Sequence, residues 1–300
     1  MVGSDLHDHV DRFVGDDESS PFRLSAGKHK ADEANDSSRP ARRTVEGLEQ
    51  RASARHSVVG TVRGSGWVNH PCVRALIQPL PLTILMSGPI LIHEIFPVGL
   101  LGCNCSVIGD ESTREALVID PGDEIDRILA VLDKHQLKLK QIIITHAHID
   151  HVGGAMKLKQ ATGAPILLNK NDYTLLKILD VQAAWIGTKS PGAVEIDQSL
   201  GDHDSIHCGT LQALAMHTPG HTEGSVCIYF PTEQKLIAGD TLFAGSIGRT
   251  DLPGGSFNKI ITSLHDRVLL LPDETVVVPG HGPLTTLGEE RQSNPFLVKR

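Results

Sequence analysis

The sequence predicts an α/β fold whose functional groups gather on one rim of its sheets, and three observations carry that expectation. Short apolar runs rich in Ile, Val and Leu recur through residues 90–300, as strands do. Between several of them lie segments whose apolar residues repeat at helical spacing. Histidine and aspartate stand directly after the runs, beside glycines that let backbone approach closely.

Taken in order, strands are expected at 90–96, 105–109 and 115–119, then a turn at Asp120-Pro121-Gly122. Asp123 is placed to cap a helix in which Ile125, Ile128, Leu129 and Leu132 form one apolar face. A strand over 141–145 leads into a histidine-rich segment, and a helix opened by Gly153-Gly154 is expected over 152–162. Helices are expected at 171–179 and 256–269, with strands near 165, 205, 211, 226, 235 and 275. Thr286-Leu287-Gly288-Glu289 has the form of a capping box opening a terminal helix. Strand clusters interrupted by helices suit two sheets with helices outside.

Residues 1–70 contain no isoleucine and no tyrosine and are crowded with charged, Ser and Gly positions. A low-complexity, disordered extension over 1–85 is therefore expected ahead of a domain over 86–300, with Met86 a candidate initiator. Of the 36 acidic and 28 basic side chains, 11 of each lie in 1–85, so the net charge of -8 belongs to the domain. That balance argues against nucleic acid as a partner. The acidic start resembles neither a secretory signal nor an acid-poor presequence. The apolar stretch 75–95 is broken by Pro79, Pro81, Gly88 and Pro89, so no membrane partner is expected and the location expected is cytoplasmic. Five cysteines, an odd number without a dense framework, fit a reducing compartment. Cys103 and Cys105 are read as plain thiols, because their spacing lacks the two intervening residues of a zinc knuckle. No feature of the composition sets an oligomeric state.

The densest chemistry is Thr145-His146-Ala147-His148-Ile149-Asp150-His151, which puts three imidazoles and a carboxylate into six consecutive positions after Ile142-Ile143-Ile144. Borderline divalent metals take these ligand types. A solvated or core histidine patch is the bland alternative. It leaves unexplained three further donors in similar settings: His221 after Thr218-Pro219-Gly220, Asp240 after Leu236-Ile237-Ala238-Gly239, and His281 after Val278-Pro279-Gly280.

This order of donors, His-x-His-x-Asp-His followed by a His, an Asp and a last His, resembles the metallo-β-lactamase superfamily over residues 90–297. Gly248-Arg249-Thr250-Asp251, Gly280-His281-Gly282-Pro283-Leu284 and Asn294-Pro295-Phe296 are similar to its small glyoxalase II-like hydrolases. The resemblance implies an αββα sandwich and two divalent metal ions, zinc first, with iron and manganese compatible because no thiolate selects among them. His146, His148 and His221 would hold one ion, Asp150, His151 and His281 the other, and Asp240 would bridge them. Penicillin-degrading relatives commonly carry Cys or Ser near the position of Asp240, which makes a β-lactam substrate a minor reading.

Two such ions lower the pKa of bound water from about 15.7 to roughly 7 and can trap a hydroxide between them. Asp150, orienting that hydroxide, and Asp240, bridging, are the candidate catalytic residues. A thioester such as a hydroxyacyl-glutathione is a natural small-molecule substrate, since its thiolate leaves without a strong general acid. Arg249 is the candidate clamp for a substrate carboxylate, the alternative being an ion pair with Asp251. The segment 181–196 either covers the pocket mouth or is a surface loop. Because nineteen residues follow His281, the helical glutathione-binding domain of full-length glyoxalase II is expected to be absent. The main alternative, also drawn from the resemblance, is a persulfide dioxygenase acting on glutathione persulfide with a single iron on His146, His221 and Asp240. A non-catalytic scaffold or a nuclease fits less well, since all seven donor positions are filled and no basic surface is evident.

Overall fold

The computed structural model describes residues 91–298, and the expectations for residues 1–85, for position 90 and for Met86 lie outside them. Strands β1 (Leu91–Val98), β2 (Cys103–Asp110) and β3 (Glu115–Ile119) form an antiparallel meander. Helix α1 (Ile125–Lys134) then crosses to β4 (Lys138–Ile143), parallel to β3. Helices α2 (Ile149–Val152) and α3 (Ala155–Thr162) lead to β5 (Ile166–Leu168), and α4 (Tyr173–Leu176) and α5 (Leu179–Ile186) to β6 (Gln198–Ser199), both strands again parallel. The first sheet therefore runs β1-β2-β3-β4-β5-β6.

The second sheet begins as a meander of β7 (Ser205–Cys208), β8 (Leu211–His217), β9 (Val226–Phe230) and β10 (Lys235–Gly239). A small hairpin of β11 (Leu242–Phe243) and β12 (Ser246–Ile247) precedes helix α6 (Phe257–Asp266). Strand β13 (Val276–Pro279) then pairs parallel to β10, and β14 (Thr285–Thr286) closes the edge before helix α7 (Leu287–Ser293). The expected capping box is present at Thr286 and Glu289.

Strand alternation explains the layering, because successive side chains point to opposite faces. Ile142 and Ile144 belong to a buried cluster with Ile128 and Leu132 of α1, Leu158 of α3 and Ala183 of α5. Ile143, between them in sequence, belongs to the cluster shared with Ile228, Phe230 and Val278 of the second sheet. The other face of that sheet, with Tyr229, Leu236 and Val277, packs on Ile260 and Leu264 of α6 and Leu287 of α7. Three cores in this order are a helix-sheet-sheet-helix sandwich, as the resemblance implies.

The sheets are also tied by a buried carboxylate. Asp110, at the end of β2, accepts from Ser112 N and Oγ at 2.8 and 2.6 Å and from Thr210 N and Oγ1, in the β7–β8 turn, at 2.5 and 2.6 Å. Burial pushes its pKa up, but these bonds outweigh burial and hold it below the usual carboxylate range. A depressed folded-state pKa stabilises the fold above the ordinary Asp value, and that contribution is lost as pH falls through the folded-state pKa. Asp110→Asn is expected to cost about 2 kcal/mol at neutral pH. In thermal unfolding the gap to the wild type should close as pH drops below about 4.

Several local expectations differ from the structure for identifiable reasons. The helix expected over 152–162 is broken at Gly153-Gly154, where Gly154 N donates to Pro121 O at 2.9 Å in the turn packed against it, an approach that β-carbons at these two positions would block. Asp123 does not cap α1. It accepts from the adjacent Glu124 N at 2.8 Å, and Glu124 takes the cap position with a left-handed backbone, φ 55°. The helix expected at 171–179 is instead the short α4, and after a turn at 177–178 a second helix, α5, runs to Ile186, where Gly187 (φ 71°) stops it. Strand β4 starts earlier than expected and ends at Ile143. No helix of the described residues is long and apolar enough to cross a membrane.

Candidate metal centre

Each candidate donor lies just beyond the C-terminal end of a strand, where α/β sheets present their ligands. The loop after β4 carries His146 and His148 and leads into α2, which carries Asp150 and His151, while the loop after β8 carries His221 and those after β10 and β13 carry Asp240 and His281. The layered packing brings the four loops together. His148 Nδ1 lies 3.0 Å from His146 Nε2 and 2.9 Å from His221 Nε2, and the three rings stand at 81–86° to one another. On the other side Asp150 Oδ2 lies 3.1 Å from His281 Nε2 and 3.7 Å from His151 Nε2. Asp240 reaches both groups: its Oδ2 is 3.4 Å from His221 Nε2, and its Oδ1 is 3.4 Å from His151 Nε2 and 3.8 Å from His281 Nε2. All seven predicted donors thus meet in one place.

The hydrogen bonds behind the rings set which nitrogen faces inward. His221 Nδ1–H donates to Arg249 O at 2.8 Å and His281 Nδ1–H to Leu101 O at 3.2 Å, so each turns its Nε2 lone pair to the centre. Burial, reinforced by the neighbouring imidazoles, pushes the pKa of His146 far down and that of His148 down to about 3, and burial lowers His221 too. Burial opposes charge on Asp240, but the imidazoles of His151, His221 and His281 outweigh it and keep the carboxylate ionised. Burial opposes charge on His151 and His281 too, but the surrounding acidic groups outweigh it and raise both, so a metal binding there would displace protons from these two imidazoles. Two of the inward atoms, His151 Nε2 and Asp240 Oδ1, are buried without a hydrogen-bond partner among the described residues. Orphaned donors of this kind fit a resident cation, which would satisfy both.

A metallo-beta-lactamase superfamily model matches residues 98–281, the span that holds every one of these donors. The chain belongs to the metallo-beta-lactamase superfamily. Among curated relatives, the hydroxyacylglutathione hydrolase GloC of Haemophilus influenzae is 38% identical over 206 residues, covering 68% of this chain and 97% of that protein. Among solved structures, the BLEG-1 B3 metallo-beta-lactamase is 35% identical with a TM-score of 0.65 (69% of this chain, 100% of that one). TTHA1623, solved in a di-iron-bound form, is 37% identical with a TM-score of 0.62 (70% and 99%). ETHE1 from Myxococcus xanthus is 29% identical with a TM-score of 0.58 (68% and 83%). This chain is accordingly a metallo-hydrolase of the superfamily.

Several residues that brace the candidate site are not among the site residues expected above. Asp120 Oδ2 lies 2.9 Å from His151 Nδ1 and accepts from Thr145 Oγ1 at 2.7 Å, while Oδ1 accepts from Thr145 N at 2.7 Å. It holds a left-handed backbone (φ 54°), a strained conformation for a non-glycine residue. Asp172 joins two donor loops, accepting from Ala147 N at 3.0 Å, Thr222 Oγ1 at 2.8 Å and Gly224 N at 2.6 Å. Asn104 Nδ2 donates to Pro279 O and Gly282 O, both at 3.0 Å, tying β2 to the His281 loop. Asp120 carried one legible signal, an acid directly after an apolar strand, whereas Asp172 and Asn104 carried none. Because it aims His151, Asp120→Ala is expected to weaken metal binding about 10- to 100-fold, measurable by competition with a chromogenic chelator.

Cys103 and Cys105 are buried, as expected of plain thiols. Cys103 Sγ stands 3.4 Å behind His151, and burial raises its pKa to about 12. It lies on the Nδ1 side of that ring, away from the Nε2 that faces Asp150 and Asp240.

A cavity of about 700 Å³ opens over the donors, lined by His148, Asp150, His221, Asp240 and His281 and by Leu101, Trp185, Ile186 and Leu252. Residues 181–186 of segment 181–196 thus belong to helix α5, which walls this cavity. Arg249 also lines it, but its Nε and Nη2 donate to Asp251 at 2.8 and 2.7 Å, the ion pair given above as the alternative to a substrate clamp.

Proposed function

We propose that this chain hydrolyses a thioester, such as a hydroxyacyl-glutathione, using two divalent metal ions, zinc first. The observation that carries the two-metal reading is the division of Asp240, one oxygen toward His221 and the other toward His151 and His281. His146, His148 and His221 would hold one ion and Asp150, His151 and His281 the second. When bound, such a pair supplies an activated water and positive charge for a developing oxyanion. The protein's part is to fix donors, orient the nucleophile through Asp150 and wall the carbonyl with Leu101, Trp185 and Leu252. Among the described residues lining the cavity, every carboxyl and imidazole belongs to the donor set, so no separate general acid stands by. That suits a thiolate leaving group, which departs without protonation. The likeness to GloC supports the same substrate class. Without a thiolate donor the site accommodates iron or manganese as well, in keeping with the di-iron form of TTHA1623.

A second reading is favoured by the likeness to ETHE1 and by Gly248-Arg249-Thr250-Asp251: a persulfide dioxygenase with one iron on His146, His221 and Asp240. In that case Asp150 and His281, 3.1 Å apart, would pair with each other instead of with a metal. Parallel assays separate the readings: thiol release from a hydroxyacyl-glutathione, oxygen uptake on glutathione persulfide, and β-lactam cleavage. We expect thiol release, two metal ions per chain by elemental analysis, and loss of metal and activity together in Asp150→Ala. One iron per chain, oxygen uptake and an active Asp150→Ala would establish the dioxygenase, and cleavage of the β-lactam alone would overturn both.

A further inference from the structure

A second cavity, of about 340 Å³, adjoins the one over the donors and shares Leu101, Ile149, Asp150 and Ile186 with it. The two lobes therefore adjoin along these four residues, Asp150 among them. Their linings differ in charge. In the first lobe the cation is Arg249, and Asp251 neutralises it. Gln182 there is also committed, accepting from Ile149 N at 2.9 Å and donating to Ala147 O and Leu175 O. The second lobe carries Lys157 from α3 and Lys189 from the loop after α5. Among the described residues neither ammonium is paired with a carboxylate, whereas Lys159, on the same helix, pairs with Asp197 at 2.7 Å. Of the acids of this lobe, Asp123 accepts from Glu124 N through Oδ1 and Asp150 faces His281, and among the described residues neither is paired with a lysine. The loop bearing Lys189 is pinned, since Ser190 Oγ donates to Asp180 Oδ1 and accepts from Gly192 N at 3.0 Å.

We propose that Lys157 and Lys189 form a carboxylate-binding subsite, so that the substrate carries an anionic group on the arm that passes over Asp150. This rests on the thioester reading for the identity of the arm but not for the existence of the subsite. Two flexible ammonium groups from different elements can close on one carboxylate without the fixed geometry that an arginine fork demands. Each exposed pair is weak, and two sharing one carboxylate give selectivity of about tenfold. The carboxylate can sit on the thiol arm or on the acyl arm.

The test uses three thioesters: S-acetylglutathione (carboxylates on the thiol arm), S-succinyl-N-acetylcysteamine (carboxylate on the acyl arm) and S-acetyl-N-acetylcysteamine (neutral). In the wild type one charged ester should exceed the neutral ester in kcat/KM by at least about tenfold, more at low salt. In Lys157→Ala/Lys189→Ala that ratio should fall toward one through KM, with metal content unchanged, and Lys157→Glu/Lys189→Glu should invert it. Calorimetric binding of the uncleavable S-methylglutathione and S-(carboxypropyl)-N-acetylcysteamine makes the subsite testable without turnover. Failure to cleave any ester, with lysine-dependent binding intact, overturns the thioester reading and keeps the subsite. Equal kcat/KM for all three esters, or a binding affinity untouched by either double variant, overturns the subsite.

Discussion

Asp240→Ala is expected to reduce bound metal from two ions per chain to one or fewer and to lower kcat/KM by at least about a thousandfold, while thermal unfolding of the metal-free protein changes little. The asymmetry follows from how this side chain is used. Its Oδ1 has no hydrogen-bond partner, and both oxygens are directed at imidazole nitrogens 3.4 Å away, so its removal breaks no bond that holds the fold. It does remove a carboxylate that faces both donor clusters. A thousandfold loss corresponds to about 4 kcal/mol of transition-state stabilisation, within what metal polarisation of a carbonyl and of water supplies. Asp240→Asn keeps the shape and one oxygen and should fall between. Elemental analysis after dialysis, with parallel kinetics, reads both effects. Retention of two ions in Asp240→Ala would show that the clusters bind independently, and the bridge would be abandoned.

The site was legible because its donors follow apolar runs, and a run's C-terminal end is a position in space once the sheets form. Ile142-Ile143-Ile144 shows how far this goes. The run announces a strand buried on both faces, and alternation assigns Ile143 to the space between the sheets and its neighbours to the helix side. The braces were less legible because they act across long sequence separations through one bond type. Asp172 meets Ala147 and Gly224 only after two sheets and a helix are in place, and nothing near it in sequence marks that partnership. Asn104 is similar, linking to Pro279 and Gly282 from the far end of the chain. Helix limits failed where tertiary contact intervened, as at Gly153-Gly154, where the turn at Pro121-Gly122 presses into the would-be helix. Arg249 shows the limit of residue-type reasoning. Its guanidinium suits a substrate carboxylate, yet the acid two residues on already takes its Nε and Nη2.

Gly280→Ala should be as damaging to metal binding as the loss of a ligand, although it changes no donor. A β-carbon built at Gly280 collides with Asp240 Oδ1 and lies 2.8 Å from His151 Cε1, so the methyl group competes for space with two candidate ligands. Backbone retreat is blocked from both sides. Gly280 N donates to Gly239 O at 2.7 Å, on the loop that carries Asp240, and Gly280 O accepts from Asn104 N at 2.7 Å. The carboxylate must therefore turn away. We expect metal affinity to fall at least about a hundredfold, comparable with the strongest effects of disturbing groups that orient ligands. Gly282→Ala provides the contrast two residues later. There φ is +78° and no atom lies within 4 Å of the added carbon, so the cost is backbone strain of about 1 kcal/mol. It should appear in thermal unfolding and leave metal affinity nearly unchanged. Chelator competition and calorimetric melting on both variants, with and without metal, separate a crowded site from a strained turn. Full metal affinity in Gly280→Ala would mean that Asp240 can bind from another rotamer, and the argument for a rigid, preformed donor set would fall with it.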